Sequence, residues 1–229
     1  MVTATENERT VLEVLADRFA VPIDRLEAGR LTVVATPEAS AAVRVFAHDG
    51  DTLVMARPEH VELAGRLLSD PAMVEAGLAE LAEALGGRLI GVVARTGLEI
   101  PAPEVDLTLT TAADRRLPDW VHGHFTGPAW VVLSPDGRVL STAVLKDYDE
   151  RLREISVGTE EEARGRGLAR AVVRAAGRDV LTQGRAVLYL HDIGNDASAA
   201  VAKAAGLHEV ARLISVVGER VGDEQPDQP

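Results

Sequence analysis

Arg164-Gly165-Arg166-Gly167-Leu168-Ala169 lies between a strand-like run, Arg153–Gly158, and an apolar helical pattern that reaches Gln183. The first turn of a helix offers free backbone N–H groups and a partial positive charge. Glycines let a ligand approach the backbone closely, and arginines add charge-assisted hydrogen bonds. Strand, glycine loop and helix in this order make an anion site. The loop is not a P-loop, because no Gly-Lys-Ser/Thr follows. It also lacks the third glycine of the dinucleotide pattern. Taken alone, the four residues Arg164 to Gly167 also have a plainer reading, an ordinary tight turn.

Downstream, a strand pattern covers Ala186–His191. Asn195-Asp196-Ala197-Ser198 follows, then Val201 and Gly206-Leu207. Arg164-x-x-Gly167-x-Ala169 resembles the R/Q-x-x-G-x-G/A motif of the GNAT N-acetyltransferase superfamily. Asn195-x-x-Ser198-x-x-Val201, ending in Gly206-Leu207, is similar to that family's next motif. The resemblance extends over about Val105 to Val217, and its specific part is Glu154–Leu207.

The resemblance implies an α/β fold with a mixed, mostly antiparallel sheet, a splayed strand pair and flanking helices. It implies acetyl-CoA as cosubstrate. Backbone amides of Arg164, Gly165, Arg166, Gly167, Leu168 and Ala169 would hold its pyrophosphate. Val157, Gly158 and Thr159 would pair with the pantetheine arm as an added strand does. That strand would part from Ala186–His191 to admit the thioester. Asn195 and Ser198 would face the arm or its sulfur. Asn195 is also a natural helix N-cap. Many relatives carry a tyrosine seven residues after the asparagine as the acid for the leaving thiolate. Ala202 occupies that position here, which leaves the acid unassigned and opens a non-catalytic reading. No thiol nucleophile exists, since cysteine is absent, in keeping with direct transfer.

Glu154, on the strand before the loop, is the first candidate for the base, because alternation can aim it into the cleft. His191 ends the flanking strand and is the second. Each has a plainer reading, an exposed strand carboxylate and a packing histidine. Arg170, Arg174 and Arg178 recur at helical spacing and serve either the 3′-phosphate of CoA or a solvated face. His122-Gly123-His124 provides two ring ligands without a third, so no metal is expected. Asp119 to Phe125 is a candidate wall for the acceptor.

The rest of the chain divides at about residue 100, within the proline-bearing stretch Gly97–Pro103. Residues 101–221 form the acetyltransferase-like domain and 222–229 a polar, disordered tail. Residues 1–100 read as a separate α+β domain, either a degenerate copy of the same fold or an unrelated cap or dimer element. Its helices are expected near Glu6–Ala20, Pro58–Leu68 and Pro71–Leu85. Its strands are expected near Leu31–Ala35, Ala42–Ala47, Thr52–Ala56 and Leu89–Ala94. Further strands are read at Val105–Leu109, Trp130–Leu133, Arg138–Leu145 and Glu209–Val217. A net charge of −12 argues against nucleic acid and favours a cationic acceptor. No leader or membrane-length apolar run is seen, so the expected compartment is the cytoplasm. A homodimer is compatible with the sequence. The resemblance implies an amine of a small molecule or a protein as the acceptor. Further alternatives are a hydroxyl or hydrazine acceptor, a longer acyl-CoA, or a structural domain that binds nothing.

Overall fold

The structure, a computed structural model, describes residues 4–26, 30–37, 41–70, 73–125 and 127–218. The expected tail at 222–229, and the start of the helix read from Pro71, lie outside the described residues. The chain forms two compact units, and neither is a continuous segment. One contains residues 1–19 and 93–210, the other 20–92 and 211–229. This division differs from a single cut near residue 100. It falls inside two strands, and the N-terminal helix belongs to the unit that contains the glycine loop.

In that first unit the helix α1 (Ala4–Phe19) lies along β8 (Leu152–Thr159) and β9 (Ala186–Asp192). Three ties run from α1 to the rest of the unit. Asn7, almost fully buried, donates to the Thr96 hydroxyl at 2.7 Å. Glu13 meets Arg151 at 2.8 Å, and Glu8 meets His208 at 2.8 Å. The strand order is β4–β9–β8–β7–β6–β5. Here β4 is Gly87–Thr96, β5 Thr108–Thr111, β6 Pro128–Leu133 and β7 Val139–Asp147. The strand expected at Val105–Leu109 forms three residues later, at β5. Ser134 to Gly137 makes the turn between β6 and β7, with Gly137 at φ +83°.

Pairs β5–β6, β6–β7 and β7–β8 are antiparallel, and β8–β9 is parallel. Joining parallel neighbours needs a long crossover, supplied by α4 (Leu168–Thr182). Its apolar stripe, Leu168, Val172, Val173, Ala176 and Val180, packs with Ile155, Val187 and Tyr189. The opposite face of the sheet buries Ala129, Val131 and Val144 against Leu117, Val121 and Phe125. α5 (Asp196–Ala205) and the start of β10 (His208–Gly218) complete the unit. The result is a mixed α/β fold with a mostly antiparallel sheet flanked by helices, as the sequence implied.

The second unit orders its strands β1–β3–β2–β10, with β1 Leu31–Ala35, β2 Val43–His48 and β3 Asp51–Ala56. The turn at Asp49-Gly50 has both residues at positive φ, as a tight hairpin requires. The helices α2 (Val61–Leu67) and α3 (Val74–Ala84) bury Ala64, Leu78 and Leu81 against Val43, Val45 and Val54. Among the described residues, no helix is long and apolar enough to cross a membrane.

Candidate active site

The site begins where two strands part. β8 and β9 pair at Leu152↔Ala186, Arg153↔Val187 and Glu154↔Leu188. Among the described residues no pair follows, although β8 runs on to Thr159 and β9 to Asp192. Beyond Glu154, β8 keeps only its β7 partner: Ala143 faces Val157, Thr142 faces Gly158, and Ser141 faces Thr159. The other edge of Val157 to Thr159 can therefore accept an extended arm as an added strand. The Ser141 hydroxyl donates to the Gly158 carbonyl at 3.1 Å and meets the Thr159 hydroxyl at 2.8 Å, fixing this end of β8.

From Thr159 the chain turns through Glu161–Ala163 into the glycine loop. Gly165 and Gly167 have φ of +74° and +75°, conformations that cost an L-residue about 1–2 kcal/mol. Gly167 is the N-cap of α4, and no side chain caps it among the described residues. The first turn of α4 has no acidic residue, and its backbone presents a partial positive charge to an anion. A positive-φ cradle, an uncapped helix end and an adjoining free strand edge fit a pyrophosphate with an extended arm.

Gly158 serves a packing purpose. A Cβ there would stand 2.8 Å from Trp120 Cζ2, so only glycine lets the indole lie on the strand. Trp120 stacks edge-on with Phe125, centroids 5.8 Å apart. It walls a cavity of about 400 Å³ together with Thr142, Gly158, Thr159, Glu160 and Arg164. Of the segment Asp119 to Phe125, Trp120 borders this cavity. His122 Nε2 lies 3.0 Å from the Leu117 carbonyl, a loop contact. No group of three or more metal-ligating side chains occurs among the described residues.

Glu154 stands at the apex of the parting strands and is only 3% exposed. Directly opposite on β7 is Lys146. Burial raises the Glu154 pKa, while the nearby Tyr148 hydroxyl and the Lys146 and Arg18 charges partly offset that rise. Tyr148 stands close without reaching hydrogen-bond geometry. Its Oη and Glu154 Oε2 are both buried with no hydrogen-bond partner among the described residues. Arg18 lies over the Tyr148 ring at 4.8 Å and Lys146 at 5.9 Å. Burial also pushes the Tyr148 phenol well above its ordinary value. Glu154 is therefore a buried carboxyl whose pKa is raised, not an exposed strand carboxylate.

His191 is placed differently. Arg95 Nε–H donates to its Nε2 at 2.9 Å, and its Nδ1 lies 2.9 Å from the Asp192 carbonyl. The ring donates through Nδ1, and its one lone pair is already taken by a cation. Asn195 Oδ1 accepts from the Ser198 N–H at 3.0 Å, so the cap role holds for Asn195. The Ser198 hydroxyl meets Tyr189 Oη at 2.7 Å.

The three arginines of α4 each meet partners within the protein. Arg170 and Arg174 pair with Glu104, the latter at 2.9 Å. Arg174 also donates to the Ala204 carbonyl at 2.8 Å, and Arg178 to that of Ile100 at 3.0 Å. These side chains strap residues 100–104 and the end of α5 to α4. Sequence reasoning missed Tyr148, Tyr189 and Arg95. Alternation along Ala186–His191 could have put Tyr189 on the α4 face, but Arg95 lies 96 residues from His191 and leaves no local signal.

Residues 98–207 match the Acetyltransferase (GNAT) family model. A GCN5-related N-acetyltransferase-like protein from Streptococcus suis is similar in structure, with 17% identity and a TM-score of 0.48. The match covers 93% of this chain and 100% of that one. A GCN5-related N-acetyltransferase from Sphaerobacter thermophilus is 16% identical over 80% of this chain and 78% of that one, with a TM-score of 0.48. A GNAT superfamily phosphinothricin acetyltransferase from Sinorhizobium meliloti, solved in complex with AcCoA, is 21% identical. That match covers 44% of this chain and 66% of that one, with a TM-score of 0.33. No curated protein matches the sequence.

Proposed function

We propose, from the premise that residues 98–207 belong to the GNAT acetyltransferase family, that the protein transfers the acetyl group of acetyl-CoA directly to a primary amine. The acceptor amine belongs to a small molecule or a protein. The observation that carries this reading is the parting of β8 and β9 at Glu154, next to the positive-φ glycine loop and the uncapped end of α4.

Acetyl-CoA supplies an activated acyl group with a thiolate leaving group. Arg164 to Ala169 hold its pyrophosphate through backbone N–H groups. Val157, Gly158 and Thr159 align the arm along their free edge, which brings the thioester towards the apex of the two strands. Positioning of this kind removes much of the entropic barrier to a bimolecular reaction. Glu154 lies at that apex with a pKa raised by burial, which strengthens it as a base for the amine proton. Its buried, unpartnered Oε2 favours a group that can donate, which an amine can. His191 acts as base only where Arg95 Nε–H withdraws from the lone pair on His191 Nε2. Asn195 and Ser198 border the sulfur end of the arm.

Calorimetry with acetyl-CoA is the first test. Absence of binding at millimolar cofactor sinks the proposal. Thiol release over a panel of amines and peptides then identifies the acceptor class. A second reading is a non-catalytic acetyl-CoA-binding protein. It is favoured by Ala202, fully buried and unable to give a proton. Binding without turnover across the panel would establish it.

A further inference from the structure

Besides Glu154, the apex has a second titratable feature, on the α4 side of the sheet. Tyr189 is the first residue of β9 beyond the last β8–β9 pair. Its side chain is 1% exposed and lies in the buried cluster that also contains Ile155, Ala202 and Ala205. A phenol so deeply buried needs a partner. It finds one in the Ser198 hydroxyl at 2.7 Å, in the first turn of α5. Ser198 is only half-buried, so this pair links a buried acid to a residue that solvent reaches. Ala202 stands one turn further along the same face of α5. A small residue there leaves room for a ring supplied by the strand instead of the helix.

We infer that the Ser198–Tyr189 hydroxyl pair protonates the departing thiolate, with Ser198 Oγ as the donor to sulfur and Tyr189 Oη as the donor behind it. This rests on the acetyltransfer reading above. The amine nitrogen bonds to the thioester carbon, and its proton passes to Glu154. The carbon–sulfur bond breaks with its electron pair on sulfur. Ser198 gives sulfur a proton and takes that of Tyr189. Solvent returns a proton to Tyr189 and accepts the one on Glu154, so the balance closes without any further reagent. The two groups lie on opposite faces of the sheet, base on the Lys146 side and acid on the α4 side. The slot between β8 and β9 connects them. Burial raises the Tyr189 pKa, with Ser198 and the Arg95 charge offsetting part of that rise, so the phenol keeps its proton at neutral pH.

Tyr189→Phe and Ser198→Ala each remove one oxygen and leave the backbone cap from Asn195 in place. Three measurements apply to each: acetyl-CoA affinity, kcat, and the titration of bound CoA thiol by thiolate ultraviolet absorbance. The expected result is near-native affinity and melting temperature, with kcat lower by on the order of 10²-fold. The titration midpoint of the bound thiol should rise, because the thiolate has lost its hydrogen-bond donor. If both variants leave kcat and the thiol titration unchanged while the unaltered protein turns over, this inference is overturned and the acetyltransfer reading stands. If the unaltered protein fails to bind acetyl-CoA, both fall together.

Discussion

Glu154 sits where ionisation competes with burial, and that competition gives the residue two measurable signatures. A carboxyl whose folded pKa is raised stabilises the fold below its unfolded pKa. It loses that contribution as pH climbs through the folded value. Stability should therefore decline as pH rises above the ordinary carboxyl range, by an amount that Glu154→Gln removes. Thermal melts of both proteins across that rise check this, and identical pH slopes would refute it. The same substitution deletes the base, so kcat should fall by about 10²-fold or more at neutral pH. Opposite effects on stability and turnover mark a residue kept for chemistry. Alternation along β8 made the position of Glu154 legible from sequence. Its surroundings were not, because Arg18, Lys146 and Tyr148 approach from different elements. His191 shows the same limit. A histidine's own pKa suggested a base, and a guanidinium 96 residues away had already taken the lone pair.

Among elements, the loop and α4 were the most legible, since glycine chemistry and helical spacing are local properties. The two glycines do not lie in equal surroundings. A Cβ at Gly165 meets open space, while one at Gly167 comes 3.2 Å from Arg170 Nη2. Both have left-handed φ, so valine at either should cost about 1–2 kcal/mol of stability whatever the ligand does. Gly165→Asn separates the two effects, because asparagine tolerates this conformation. It should preserve the melting temperature and still weaken acetyl-CoA binding, read by calorimetry, if the backbone there meets the pyrophosphate. Retained affinity would reduce the loop to a turn. The arginine spacing on α4 correctly predicted one face, yet spacing cannot say what a face meets. Arg174 meets Glu104 and the Ala204 carbonyl. Arg174→Met should therefore cost about 1–3 kcal/mol, the usual loss for a charge-assisted bond at a largely buried group. Cofactor affinity should stay unchanged. A selective loss of affinity would restore the phosphate role.

At the scale of the molecule, order in sequence and contact in space divide the chain differently. A cut near residue 100 follows composition, because the prolines of Gly97–Pro103 interrupt periodicity. Contacts disregard it. α1 has the helical period expected of it, but nothing in Ala4–Phe19 says which sheet it will cover. It lies along β8 and β9, beside the apex of the site. Two independent domains would let the acetyltransferase-like part ignore the loss of residues 1–19. The observed ties predict otherwise. Removing α1 strips the buried Asn7 from Thr96, whose hydroxyl in turn donates to the Val187 carbonyl on β9. It also breaks Glu13–Arg151, next to the first β8–β9 pair. One buried hydrogen bond is worth about 1–3 kcal/mol when a partner is left alone, and exposed ion pairs add less than about 1 kcal/mol each. A chain lacking residues 1–19 should melt several degrees lower and bind acetyl-CoA more weakly. A synthetic peptide of residues 4–19 should restore both in proportion to its concentration, as any ligand of the folded state does. Unchanged melting and affinity in the shortened chain would return α1 to a separate N-terminal domain. Restoration by peptide would instead make the first helix a structural part of the cleft that it flanks.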